Sequence, residues 1–115
     1  MVKPNIELIK EMKTYAEENN VPIMRDEGIS YLTNFCRENN IKKVLEIGTA
    51  IAYSTILLTY ISEDMEVTTI ERDEKRYLEA IKNVKKAELE DRINLIYGDA
   101  LDVKLEDEYE LIFID

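Results

Sequence analysis

The chain has 115 residues, enough for one small domain, and 45% of them are hydrophobic, enough to build a core. Its formal net charge of −10 argues against a standalone nucleic-acid binder, because phosphate contact needs concentrated Lys and Arg. The single cysteine, Cys36, excludes an internal disulfide and fits a reducing compartment, and with no histidine any metal would be held by oxygen. No run approaches the roughly 18 apolar residues of a membrane span. The stretch Met1-Val2-Lys3-Pro4-Asn5 has none of the hydrophobic character of a secretory signal. A soluble, cytoplasmic protein is the expectation.

Pro4 suits the start of a first helix, where its missing N–H costs nothing. Ile6, Ile9, Met12 and Ala16 form one apolar stripe, with Leu8 and Tyr15 beside it. Val21-Pro22-Ile23-Met24 must be extended around the proline. Asp26 is a good N-cap for a second helix that carries Ile29, Leu32, Phe35 and Cys36 inward. Cys36 is most simply a core residue.

From Ile41 onward strands and helices alternate without a linker. A strand at 43–47 is followed by a helix at 51–62, then a strand at 66–70. Asp73 caps a helix with Tyr77, Ala80, Ile81 and Val84 on one face. A strand at 93–97 runs into Gly98-Asp99-Ala100, and the segment to Glu108 has no clear period. Leu111-Ile112-Phe113-Ile114 is an unbroken apolar run, as for a strand covered on both faces. This order predicts an α/β fold with a Rossmann-like parallel sheet and flanking helices, incomplete on its C-terminal side. Residues 1–40 form a helical segment packing on a core made by 41–115. An apolar strand at an open edge is an aggregation hazard, so another chain covers it or the sequence is the front of a longer domain. The second is the expectation.

The stretch Val44-Leu45-Glu46-Ile47-Gly48-Thr49-Ala50-Ile51-Ala52-Tyr53-Ser54 organises the rest. The apolar period changes from strand to helix across the glycine, and such a turn presents backbone N–H groups to a ligand. Gly48, Ala50 and Ala52 let a flat or polar ligand approach the backbone closely. In open parallel sheets ligands sit beyond the carboxyl ends of the strands, and here each end carries an acid: Glu46, Glu71, Asp99 and Asp115. Glu71 follows Gly48 at close to the roughly 20-residue spacing at which an acid meets ribose hydroxyls. Alone, Glu71 is as readily a solvated strand-end acid, and Asp99 after Gly98 is as readily turn chemistry. A nicotinamide-binding domain would also align such acids, but its Gly-x-Gly-x-x-Gly fingerprint is absent.

Val44 to Ala50 with Tyr53-Ser54 resembles the first motif of class I S-adenosylmethionine-dependent methyltransferases. More narrowly, it resembles the metal-dependent O-methyltransferases related to catechol and caffeoyl-CoA methyltransferases. Thr69-Ile70-Glu71-Arg72, Tyr97-Gly98-Asp99-Ala100 and Ile112-Phe113-Ile114-Asp115 match later motifs in order. Val21 to Met24 matches the segment before the first motif in the bacterial branch that methylates 5-hydroxyuridine in tRNA. The resemblance covers nearly the whole chain, yet only the front half of such an enzyme. It implies O-methyl transfer to a hydroxyl, in tRNA or in a small hydroxylated acceptor, with S-adenosylmethionine and Mg²⁺ as cofactors. A homodimer is implied as well. A non-catalytic, cofactor-binding fragment is the alternative.

Carried over by position, the resemblance places Met24 beside the cofactor and has Glu46 and Gly48 shape the turn beneath its methionine part. Ser54 would bond the methionine carboxylate, and Glu71 would take the ribose hydroxyls. Asp99 and Ala100 would bracket the adenine, and Asp115 would face the reacting centre as a metal ligand. The family has glycine where this chain has Ala52, and an alanine there is expected to be tolerated as merely small.

Overall fold

A computed structural model describes residues 3–105 and 107–115. Met1 and Val2, part of the stretch lacking a signal, and Glu106, in the segment without a period, lie outside the described residues. The elements run α1 (Ile6–Glu18), α2 (Asp26–Glu38), β1 (Lys43–Ile47), α3 (Tyr53–Thr59), β2 (Glu66–Glu71), α4 (Glu74–Lys86), β3 (Ile93–Tyr97) and β4 (Leu111–Ile114). The four strands form one sheet in the order β3-β2-β1-β4, and every pairing is parallel. Glu46 stands level with Thr69 on β2 and with Phe113 on β4. This is the Rossmann-like α/β sheet that the alternation predicts.

Strand alternation divides the sheet into two faces. Val44, Glu46, Val67 and Thr69 point to the helix side, where Val44 and Val67 join Cys36, Leu58 and Met65 in a core that Leu111 and Phe113 flank. A second core unites α1, α3 and α4 through Leu8, Met12, Ile56, Ala80 and Val84. The opposite face carries Leu45 and Ile70, both buried, and then Ile112 and Ile114 on β4, which are 58% and 78% exposed. The expectation of a β4 covered on both faces is thus corrected: its apolar run packs on the helix side only.

Local chemistry explains the other departures. Helix α1 is capped by Asn5, whose side chain accepts the Leu8 N–H at 3.0 Å, so Pro4 lies ahead of the helix and not at its first position. Its buried residues are Leu8, Met12 and Ala16, spaced at i, i+4, while Ile6 is off that line and 58% exposed. Helix α2 begins at Asp26 with Arg25 as the N-cap residue, so Asp26 does not cap. Its carboxylate lies in the favourable first turn and meets Lys13 at 3.2 Å. Phe35, expected to face inward, is instead exposed at 37%, whereas Cys36 is buried as expected. Helix α3 is shorter than the period suggests because Ala50 (φ 52°) and Ala52 (φ 74°) are left-handed and hold the preceding residues in a loop. Ala52 therefore needs more than smallness. A left-handed alanine is disfavoured by roughly 1–2 kcal/mol, which corrects the expectation of tolerance. Asp73 caps α4 as expected, its side chain accepting the Arg76 N–H at 3.2 Å.

Candidate functional site

The carboxyl ends of all four strands open on one cavity of about 360 Å³, within the roughly 300–1,000 Å³ usual for small-molecule sites. Five of the eight residues given roles by the resemblance line it, Gly48, Glu71, Asp99, Ala100 and Asp115, and Ala50 of the small-residue turn joins them. They come from four separate strand ends, and parallel pairing in register is what brings them together.

Gly48 sits where β1 turns toward α3. Its φ of +95° suits glycine, and a Cβ there would stand 2.7 Å from the Asp115 backbone oxygen. The Asp115 N–H donates to Ile47 O at 2.9 Å, so the tips of β1 and β4 touch and leave no room for a side chain at 48. Glu71 is 6% exposed, and its Oε1 accepts the Ala50 N–H at 2.7 Å while Oε2 accepts the Asp73 N–H at 2.9 Å. Each oxygen keeps further acceptor capacity for a ligand hydroxyl. Asp99 Oδ1 accepts the Leu101 N–H at 2.9 Å, so the turn chemistry weighed from the sequence is present alongside the cavity position. Burial pushes the Asp115 carboxyl above its ordinary range.

The other three stand apart from the cavity lining. Glu46 is fully buried, and its carboxylate accepts hydrogen bonds from Ser54, Thr55 and Thr69. Burial pushes its carboxyl up to about 7, opposed by those three hydroxyls and assisted by the nearby Asp115 charge. The row of four rim carboxylates is thus three, with the fourth beneath the floor. Strand parity carried that signal: Glu46 shares a face with Val44, the face that the following helix covers. The Ser54 hydroxyl is likewise turned inward and committed to Glu46. Met24 lies against Gly28 at the start of α2, and from its extended segment it is Pro22 that reaches the cavity.

Arg72, directly after β2, and Arg76, in the first turn of α4, also line the cavity and were not singled out from the sequence. Their signal was position, one directly after Glu71 and the other in the first turn of the helix that follows. Among the described residues neither guanidinium enters an ion pair. No three His, Cys, Asp or Glu side chains among the described residues gather as a metal site. Asp115 is one carboxylate, and the residues present do not by themselves build a divalent-ion site.

A parallel Rossmann-like sheet with a cavity over its strand ends, a buried acid on the second strand and a small-residue turn after the first place the chain in the class of α/β domains whose cavity opens at the carboxyl ends of the strands. Within that class the chain belongs to the O-methyltransferase family, whose model matches residues 3–115. Caffeoyl-CoA O-methyltransferase of Populus kitakamiensis is 32% identical over 89 residues, covering 76% of this chain and 37% of that protein. Flavonoid 3',5'-methyltransferase of Vitis vinifera is 31% identical over 85 residues, covering 73% of this chain and 35% of the relative. The solved O-methyltransferase from Bacillus cereus in complex with SAH superposes with a TM-score of 0.84 at 28% identity, over 100% of this chain and 56% of that one. SAH-bound methyltransferase PaMTH1 of Podospora anserina gives 0.83 at 28% identity, over 98% and 50%. The chain spans about half the length of the proteins it matches.

Proposed function

We propose that this chain binds S-adenosylmethionine in the strand-end cavity and serves methyl transfer to an acceptor hydroxyl. The observation that carries the reading is Glu71, a buried carboxylate at a strand end, with both oxygens fixed by backbone N–H groups and facing the cavity. A carboxylate so held is matched to a pair of vicinal hydroxyls, as in a ribose. The wall formed by Gly98, Asp99 and Ala100 offers backbone and small side chains to a flat base. Gly48 and Ala50 form the floor on the other side, toward Asp115. S-adenosylmethionine supplies an electrophilic methyl group when bound. The chain's own part is to fix the nucleoside and to set Asp115 at the far end of the cavity, where a carboxylate can accept an acceptor proton. Among the described residues Asp115 alone does not make a Mg²⁺ site.

For the acceptor, 5-hydroxyuridine in tRNA rests on the motif resemblance. A small hydroxylated aromatic is the second reading, favoured by the net charge of −10 and by relatives named for caffeoyl-CoA and flavonoid substrates. A homodimer and a cytoplasmic location belong to this proposal too; no described helix is long and apolar enough to cross a membrane. Isothermal titration with S-adenosylhomocysteine tests the cofactor, and heat with NAD in its place would reassign the cavity. Labelled cofactor offered to bulk tRNA and to a catechol panel, with and without Mg²⁺, tests the transfer. Label in catechols and never in tRNA would select the second acceptor, and no transfer to either would leave a cofactor-binding fragment.

A further inference from the structure

Three successive residues of β2 each grip a different part of the turn that floors the cavity. The Ile70 carbonyl accepts both the Gly48 N–H at 2.9 Å and the Thr49 N–H at 3.2 Å. The Glu71 carboxylate accepts the Ala50 N–H. Thr69 reaches the same turn through its side chain, with its Oγ1 2.6 Å from Thr49 Oγ1 and 2.7 Å from Glu46 Oε1. A hydroxyl has one proton. With Glu46 ionised, Thr69 gives its proton to Glu46, so Thr49 is the donor to Thr69, and the bonds run in one direction from the turn through β2 to β1. All three side chains are buried, Thr49 1% exposed and the other two 0%, so no water can replace a missing partner. The turn needs such support, because Gly48 (φ 95°) and Ala50 (φ 52°) are both left-handed on either side of Thr49. A backbone of this kind persists only where its surroundings over-determine it.

We propose that Thr69 is a positioning residue for the cofactor: it never touches the ligand, and its hydroxyl, set between Thr49 and Glu46, holds residues 48–50 in the shape the ligand meets. The inference rests on the cavity being the S-adenosylmethionine site. Thr55 supplies the internal comparison. Its hydroxyl donates to the same Glu46 Oε1 but has no link to the turn.

The experiment is titration of S-adenosylhomocysteine into the full chain and into valine variants, with thermal unfolding measured alongside. Thr69→Val is expected to raise Kd about tenfold, which is about 1.4 kcal/mol. Thr49→Val cuts the same bond from its other end, should lose as much, and should add nothing in the double variant. Thr55→Val should lower the unfolding temperature yet leave Kd within about twofold, and Thr69→Ser should restore binding. A Thr69→Val chain that binds as the parent does, or a Thr55→Val chain that loses equally, would overturn the proposal. Should Thr69→Val fail to fold, Thr49→Val, which leaves Glu46 fully bonded, decides in its place. A parent chain that binds no S-adenosylhomocysteine would sink the reading of the cavity instead.

Discussion

Glu46 and Glu71 are carboxylates at the tips of neighbouring strands, yet their surroundings set them different tasks. Glu71 is fixed by amide N–H groups and faces the cavity, so Glu71→Ala should weaken S-adenosylhomocysteine binding by roughly 1.5–3 kcal/mol, the scale of charge-assisted hydrogen bonds. Calorimetric affinity unchanged by that substitution would remove Glu71 from the site. Glu46 sits in a dry interior and its carboxyl rises from an ordinary 4.5 to about 7. Between those values the folded chain holds a proton that the unfolded chain has released. Stability from this group is therefore full below the ordinary value and is lost as pH rises through about 7. Urea unfolding of the parent and of Glu46→Gln between acid and alkaline pH should show the parent losing its relative advantage as pH rises, by up to about 1.4 kcal/mol per pH unit. A difference that stays flat across that range would show that Glu46 does not titrate there. The sequence made the acids visible and their spacing suggestive. It hid which way each points, because that depends on strand parity relative to helices whose packing side is a tertiary fact.

At the scale of elements, the strand–turn–helix unit was legible because the hydrophobic period changes abruptly at Gly48. The parallel sheet followed from alternation, and the Asp73 cap from residue type. Helix limits were less legible. Tyr53 begins α3 later than the apolar pattern does, since Ile51 and Ala52 are buried from within the loop. Two alanines in left-handed conformation are not announced by propensity. Ala52→Gly should relieve the strain of φ 74° while forfeiting one buried methyl, a net gain of about 0.5–1 kcal/mol in unfolding free energy. Denaturation midpoints of the two chains measure it, and a loss of stability would mean that the methyl outweighs the backbone. Asn5 and Arg25 show the same limit at smaller scale: Pro4 stands two residues before the first position of α1, and Asp26 one residue after the N-cap of α2.

Across the molecule, the helices gather on one side of the sheet and leave Ile112 and Ile114 of β4 in the open on the other. The sequence could not show this, because an unbroken apolar strand reads the same whether one face is covered or two. An edge strand with such a face should self-associate. Light scattering of the chain should grow with concentration, and Ile114→Lys should reduce that growth; equal scattering from both chains would absolve β4. The N-terminal helices are equally tied to the rest. Asn5 N–H donates to the Tyr60 hydroxyl at 3.2 Å, Lys86 meets Glu11 at 3.5 Å, and Pro22, between α1 and α2, stands in the cavity wall. A grafting exercise that transplanted only the strands and their crossovers would carry away a bowl missing one side, so any exchange of this module between proteins has to cut upstream of that proline.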